Sequence, residues 1–186
     1  GILHQEYHEE NFSKQGGTFQ MVQLWVNLPA KDKETDPQYQ DILFDKMTKV
    51  DLENGSYINV IAGSYNGHQG TGTTFSPIDM YNAYLKKGTK ADFTFDTTWS
   101  TAILIIEGSV KVNGETILEK DSFAMFENNG GDTFNLESLD DNTIVLVMSG
   151  QPLNEPIAHY GPFVMNTQEQ LAQAFEDFQA GKFGTL

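Results

Sequence analysis

The chain opens with a histidine and a glutamate two residues apart, His4 and Glu6, within the sequence GILHQE. The segment is strand-like, and side chains at positions i and i+2 of a strand point in the same direction. Both could therefore face one metal ion, and an imidazole nitrogen with a carboxylate oxygen suits Fe(II), Mn(II), Ni(II) or Zn(II). On the residues alone, however, such a pair beside Glu9 and Glu10 is more typical of a solvated polar patch.

Other candidate catalytic groups have simpler explanations. His8 follows His4 by four residues, but the order HQEYH puts the glutamate in the wrong place for the zinc-peptidase motif HExxH. The glycine-rich stretch 67–72 lacks the lysine of a phosphate-binding P-loop, so we predict a hairpin or surface loop with His68 as a loop residue. His159 is predicted to be a structural loop residue. The chain has no cysteine, which excludes thiol nucleophiles, disulfides and thiolate metal sites.

The composition restricts the partners that the chain can bind directly. Its 186 residues include 26 acidic and 11 basic side chains, for a net charge of −15, and every basic residue is lysine. Without arginine there is no bidentate group for phosphate or guanine, so direct binding to nucleic acid or to an anionic membrane is not expected. No apolar run approaches the roughly 20 residues of a membrane span, and no secretory signal pattern opens the chain. We expect a cytoplasmic protein.

The turn residues predict a β-protein. Asn-Gly pairs at 54–55, 66–67 and 113–114 accept the positive φ of tight hairpins, and the last pair predicts a two-residue hairpin loop. Short runs rich in β-branched and aromatic residues predict strands at 19–28, 56–62, 81–85, 91–95, 101–106, 110–112, 116–118, 122–126 and 142–148. Strands spaced this closely are typical of a barrel or sandwich.

The remaining chain predicts a connector and one helix. The charged segment 31–49 is expected to cross the surface as a long connector. Thr167 and Gln170 form a capping-box pattern at a helix start, and Gly181 fits the helix end. Apolar residues recur at helical spacing at Leu171, Ala174, Phe175 and Phe178. We expect this apolar stripe to pack on the outside of the barrel.

Several segments along the chain have distinctive sequences. They are 1–6 (GILHQE), 17–31 (GTFQMVQLWVNLPAK), 37–40 (PQYQ), 60–70 (VIAGSYNGHQG), 161–166 (GPFVMN) and 181–184 (GKFG). Together they resemble the pirin family of double-cupin proteins, in which a GxxHxE ligand strand and a GxxxxxQLWVNLP segment occur. The WVNLP and GPFVMN segments are the most specific, and the matches run the length of the chain.

The resemblance implies an all-β fold of cupin barrels, which are jelly-roll-like double-stranded β-helices, with one C-terminal helix. In pirins a metal lies in the first barrel, held by three histidines and one glutamate. The resemblance therefore implies that His4 and Glu6 are metal ligands. The chain has no HxH pair for the other two histidines, so we expect a double cupin truncated at its N-terminus. Residues 1–50 are then the remnant of the first barrel plus a connector, and 51–186 the second barrel with the terminal helix.

The second barrel is expected to be free of metal. No histidine stands near 94–96 or near 126–129, where the resemblance would place the ligands of a second site. Gly108 is expected to close the corresponding motif. Phe93, Phe95 and Phe123 instead predict an apolar core that fills the barrel.

The resemblance also implies a function for the intact protein. It would be an Fe(II)-dependent dioxygenase of the quercetin 2,3-dioxygenase type, opening a small aromatic flavonol with O2. Another divalent metal is an alternative to Fe(II). Glu6 would be both a metal ligand and the catalytic base. The chain alone is expected to bind metal weakly and to be inactive, unless a cleaved N-terminal half stays associated.

A second hypothesis is a metal-responsive module that binds a protein partner in transcription or metabolism without turnover. The charge of −15 suits a basic protein partner.

Overall fold

The computed structural model describes residues 1–128 and 130–185. They form two compact units, one of residues 40–153 and one of residues 1–39 together with 154–186. The smaller unit thus combines both ends of the described sequence. The division at residue 50 expected from the sequence stays a prediction.

The larger unit consists of antiparallel strands in two main sheets. In chain order the strands are β1 (Thr48–Asp51), β2 (Tyr57–Ala62), β3 (Ser64–Tyr65), β4 (His68–Gln69), β5 (Ile78–Leu85), β6 (Lys90–Thr94), β7 (Ser100–Glu107), β8 (Ser109–Val112), β9 (Thr116–Glu119), β10 (Phe123–Met125), β11 (Thr133–Ser138) and β12 (Thr143–Gly150). The first sheet has the order β1-β2-β5-β12-β7-β10, the second β6-β11-β8-β9, and β3 and β4 form a small hairpin. Short 3-10 turns lie at Phe44–Lys46 and Glu53–Gly55.

Stacked aromatic rings fill the space between the two sheets. Phe134 lies 4.2 Å from Phe126 and 5.2 Å from Phe93 between ring centroids. Tyr81 stacks at 6.1 Å on Phe93 and at 5.9 Å on Phe95. Alternation along β6 and β11 turns every second side chain inward, as a period of two requires. The predicted core positions Phe93 and Phe95 are therefore confirmed.

Phe123 was the wrong choice for the third core residue. Its side chain is 60% exposed on β10, which lies at the edge of the six-stranded sheet. On this strand it is Ala124 that packs against the core, so its neighbours on both sides point outward.

The 113–114 hairpin is real, but its loop is one residue longer than predicted. Asn113 and Gly114 adopt φ of 52° and 71°, and the Glu115 N–H donates to Val112 O at 3.0 Å. Val112 faces Thr116 across the ladder, so Asn113, Gly114 and Glu115 together form the loop.

The glycine-rich stretch 67–72 is a hairpin followed by a close backbone crossing. The Gly70 N–H donates to Gly63 O at 2.8 Å and the Gly72 N–H to Ile61 O at 2.7 Å. A Cβ at Gly70 would lie 2.8 Å from the Ala62 backbone. These glycines allow two strands to approach, and their amides are occupied, which confirms the structural interpretation over a phosphate-binding loop.

The smaller unit contains two helices and a hairpin. Helix α1 (Glu10–Gln15) was not predicted, and its cap is Glu9, whose carboxylate accepts from Asn11 N and Phe12 N at 2.9 and 2.8 Å. A 3-10 turn lies at Ala30–Asp32, strands β13 (Ala158–Tyr160) and β14 (Phe163–Met165) pair, and helix α2 spans Gln168–Gln179. Among the described helices none is long and apolar enough to cross a membrane.

Helix α2 confirms its predicted start and packs on the hairpin that precedes it. Thr167 and Gln170 form the capping box. Leu171 and Ala174 are buried, and Phe175 packs its ring at 4.8 Å from Phe163. The apolar stripe packs on the β13–β14 hairpin, and its predicted packing on the outside of the barrel stays a prediction.

Residues 19–28 do not form the predicted strand. The segment is irregular, and its large apolar side chains are 43–59% exposed: Phe19, Met21, Val22, Leu24, Trp25 and Val26. A strand exists only where a second strand completes its ladder, and none of the described residues provides that ladder here. Residues 1–6 lie outside strands for the same reason.

The buried tyrosines of the barrel predict alkaline destabilisation. Burial raises the pKa of Tyr81 and Tyr65, and the charges of Asp79 and Asp92 raise it further. Since the folded state holds these protons more tightly, stability should be complete below about pH 10 and fall as the pH rises above it. We expect the urea midpoint to drop between about pH 10 and pH 12, and less steeply in Tyr65→Phe. A midpoint unchanged over this range would contradict the prediction.

Candidate functional site

His4 and Glu6 lie in the irregular segment before helix α1, and both side chains are exposed. The backbone between Gly1 and His4 is anchored, since the Leu3 N–H donates to Phe183 O at 3.1 Å. This bond joins the segment to the residues that follow helix α2. The candidate ligands are therefore displayed from a tethered backbone rather than from a sheet.

The Glu6 carboxylate is held by one side chain. Gln23 Nε2 donates to Glu6 Oε1 at 3.1 Å. Within residues 1–128 and 130–185, the other oxygen, Oε2, has no hydrogen-bond partner. One carboxylate oxygen is thus engaged and the second is open to a ligand.

The donor set fits a first-row divalent metal in kind, because imidazole nitrogen and carboxylate oxygen are ligands that such ions accept. The set is incomplete in number. The part of the chain that the structure describes contains no group of three or more His, Cys, Asp or Glu side chains able to hold a metal. Ligation by His4 and Glu6 stays a prediction, and further ligands would have to come from elsewhere.

The other histidines have surroundings of their own. The His8 ring lies 4.6 Å from the Phe19 ring and 5.9 Å from the Phe12 ring between centroids. His8 is therefore part of an aromatic cluster. His68 is exposed in strand β4. His159 is exposed in β13 rather than in the predicted loop, and its Nε2 lies 3.1 Å from Gly161 O.

The resemblance would place the ligands of a second metal site in the barrel of the larger unit. The residues found at those positions have structural roles. Asp96 accepts hydrogen bonds from Thr98 N at 2.8 Å and Thr98 Oγ1 at 2.6 Å, and these bonds lower the pKa of its carboxyl. Gly108 has φ of 73°, and a Cβ there would lie 2.9 Å from Asn142 O. Asn129, the end of the second compared region, lies outside the described residues. The metal-free second barrel stays a prediction.

A polar cluster that no sequence pattern indicates joins the two most specific motifs. Lys33 Nζ donates to Asn27 Oδ1 at 2.5 Å and to Val164 O at 3.3 Å. Burial lowers the pKa of Lys33, and the charge of Glu155 opposes this shift. Glu155 Oε2 accepts from Ala30 N at 2.8 Å and from Asn166 Nδ2 at 3.0 Å. The cluster fixes residues 27–33 to the GPFVMN segment, a contact that only the fold reveals.

A cavity of about 710 Å³ opens beside this cluster. Its walls include the side chains of Trp25, Lys33, Phe163 and Phe183, so aromatic rings and a lysine side chain share this cavity. His4 and Glu6 do not line it, and the structure does not connect the cavity with the candidate ligands.

Comparison with known proteins identifies the family of this chain. The family model of the pirin C-terminal cupin domain matches residues 80–184. A Pseudomonas aeruginosa protein named "Putative quercetin 2,3-dioxygenase" is 41% identical over 185 residues, which cover 98% of this chain and 63% of that protein. A Thermoplasma acidophilum protein with the same name is 35% identical, with 98% of this chain and 75% of that protein covered.

The solved structures agree. A crystal structure of quercetin 2,3-dioxygenase from Acinetobacter baumannii aligns with a TM-score of 0.89 and 42% identity, covering 96% of this chain and 62% of that one. The chain thus spans less than two thirds of the length of the Pseudomonas and Acinetobacter proteins. The cupin fold expected from the sequence, mostly β with a C-terminal helix, is confirmed. The chain belongs to the pirin family.

Proposed function

We propose that this chain is part of a non-haem Fe(II)-dependent dioxygenase that opens flavonols with O2. The name quercetin 2,3-dioxygenase, printed for its relatives, supports the proposed activity. The observation that carries the proposal is the exposed His4–Glu6 pair, with Glu6 Oε2 open to a ligand. Imidazole and carboxylate are the donors of non-haem Fe(II) oxygenase sites. A different divalent metal would use the same two donors.

In this proposal His4 binds the metal through a ring nitrogen and Glu6 through a carboxylate oxygen. The remaining protein ligands come from residues that the described chain does not supply. A bound Fe(II) would provide the redox chemistry that O2 requires. The chain's own contribution is to hold a nitrogen and an oxygen donor at positions separated by one residue.

Glu6 has a second proposed role as the base for the flavonol hydroxyl. An ionised carboxylate has about four lone-pair sites on its two oxygens, so one ligating and one hydrogen-bonded oxygen still leave a site for a proton. Its exposure allows an aromatic substrate to approach. Moving the proton onto Glu6 would leave the substrate as its anion, the form that a general base produces.

The test is oxygen uptake with quercetin by the whole Fe(II)-loaded protein, with metal content measured on the same sample. We expect His4→Ala and Glu6→Gln each to lower uptake about 100-fold or more and to lower bound iron. His68→Ala and Glu53→Gln change exposed residues of the larger unit and should leave both values unchanged. The 186-residue chain alone should show no uptake.

Two outcomes would overturn the proposal. If His4→Ala and Glu6→Gln retain full iron content and uptake, the pair is not part of the site. If iron binds through both residues without oxygen uptake, the second candidate is favoured, a metal-responsive module for a protein partner. The net charge of −15 supports a basic partner for such a module.

A further inference from the structure

We infer that Gln23 is a positioning residue for Glu6, holding Oε1 so that Oε2 is presented as the metal-binding atom. The inference rests on the proposed function, because it assigns a role within the same ligand pair. Gln23 does not itself contact a metal or substrate in this proposal. It acts through the hydrogen bond from Nε2 to Oε1, which is 3.1 Å long.

The bond connects residues that are 17 positions apart in the chain. A hydrogen bond to an ionised acceptor is shorter and stronger than one between neutral groups. The bond restricts rotation of the Glu6 carboxylate, whose side chain is otherwise exposed. Partners of this kind orient metal ligands and strongly influence metal affinity.

Contacts on both sides of Gln23 hold its backbone in place. Before it, the Phe19 ring packs on His8 at 4.6 Å, which ties the segment to the residues just after Glu6. After it, Asn27 accepts from Lys33, and Lys33 also donates to Val164 O at 3.3 Å. Gln23 lies midway between these two anchors, although its own segment forms no strand.

The amide suits this task better than the alternatives of similar length. A glutamate at position 23 would repel the Glu6 carboxylate, and a lysine would compete with the cation for it. Methionine has the length of glutamine but no donor. Gln23→Met therefore removes the hydrogen bond while retaining most of the side-chain volume.

The test is a titration of the whole metal-free protein, which supplies the remaining ligands, with Mn(II), followed by paramagnetic broadening of assigned backbone amide signals. In the wild type we expect broadening centred on His4 and Glu6. Gln23→Met should weaken the apparent affinity at these signals about tenfold. Gln5→Met, which changes an exposed glutamine between the two ligands, should leave it unchanged.

A spectroscopic signal separates positioning from a general structural effect. The Gln23 side-chain NH2 signals should shift in Glu6→Ala, and the amide signals of residues 19 and 27 should stay in place in Gln23→Met. If broadening is centred on His4 and Glu6 but Gln23→Met binds Mn(II) as tightly as the wild type, the role of Gln23 is overturned and the proposed function stands. If the wild type shows no broadening there, or His4→Ala does not reduce it, the ligand assignment itself fails, and with it the role of Gln23.

Discussion

Replacing Phe134 by alanine is expected to lower the free energy of unfolding of the barrel by about 3–5 kcal/mol. Phe134 is 5% exposed and stacks on Phe126 and Phe93. Truncation removes these contacts and leaves a cavity between two sheets that cannot close around it without moving paired strands. Urea unfolding followed by circular dichroism would measure the loss.

Phe123→Ala is the matched control for this substitution. It removes the same atoms from a side chain that is 60% exposed on an edge strand, so the change should stay within about 0.5 kcal/mol. Equal losses in Phe134→Ala and Phe123→Ala would show that the aromatic stack does not stabilise the barrel more than its surface does.

Gly63→Ala should be at least as damaging, with a loss of about 4 kcal/mol or failure to fold. Gly63 has φ of 75°, a conformation that costs other residues about 1–3 kcal/mol. An added Cβ would overlap the Asp79 carboxylate and lie 2.6 Å from Ile78 O. Displacing Asp79 would also break its bond to Ser64 N, which is 2.8 Å long. Overpacking and the lost hydrogen bond therefore add to the backbone cost.

Gly88→Ala separates the backbone cost from the overlap. Gly88 has φ of 79°, and a Cβ there meets nothing within 4 Å. Only the conformational penalty of about 1–2 kcal/mol should apply. Thermal unfolding of Gly63→Ala and Gly88→Ala would measure the two losses of stability. Similar shifts in midpoint would mean that the close approach at Gly63 relaxes without cost.

Most elements could be predicted because their signals are local. The capping box at Thr167 and Gln170 specifies the start of helix α2 within four residues, and the Asn-Gly pair at 113–114 specifies a turn. Strand β11 was missed although its inward side chains alternate. Residues 19–28 have a strand-like composition, but strand formation depends on a partner that lies elsewhere in the chain.

Only the local part of the candidate site could likewise be predicted from the sequence. The spacing of His4 and Glu6 is visible in six residues, so the ligand hypothesis was available from the sequence. Gln23 could not be assigned, because its bond to Glu6 depends on how an irregular segment returns past the first residues. The contact of Lys33 with Val164 O spans 131 positions, and no local pattern encodes it.

The bond from Leu3 to Phe183 has a consequence for the order in which the protein is made. A ribosome synthesises the His4–Glu6 segment well before its backbone partner Phe183, so the segment cannot be tethered until residue 183 has emerged. Residues 40–153, which form the larger unit, emerge entirely in the interval. Contacts this distant in sequence form slowly, and a proteolytic cut after helix α2 would release the backbone beside His4 while leaving every barrel strand intact.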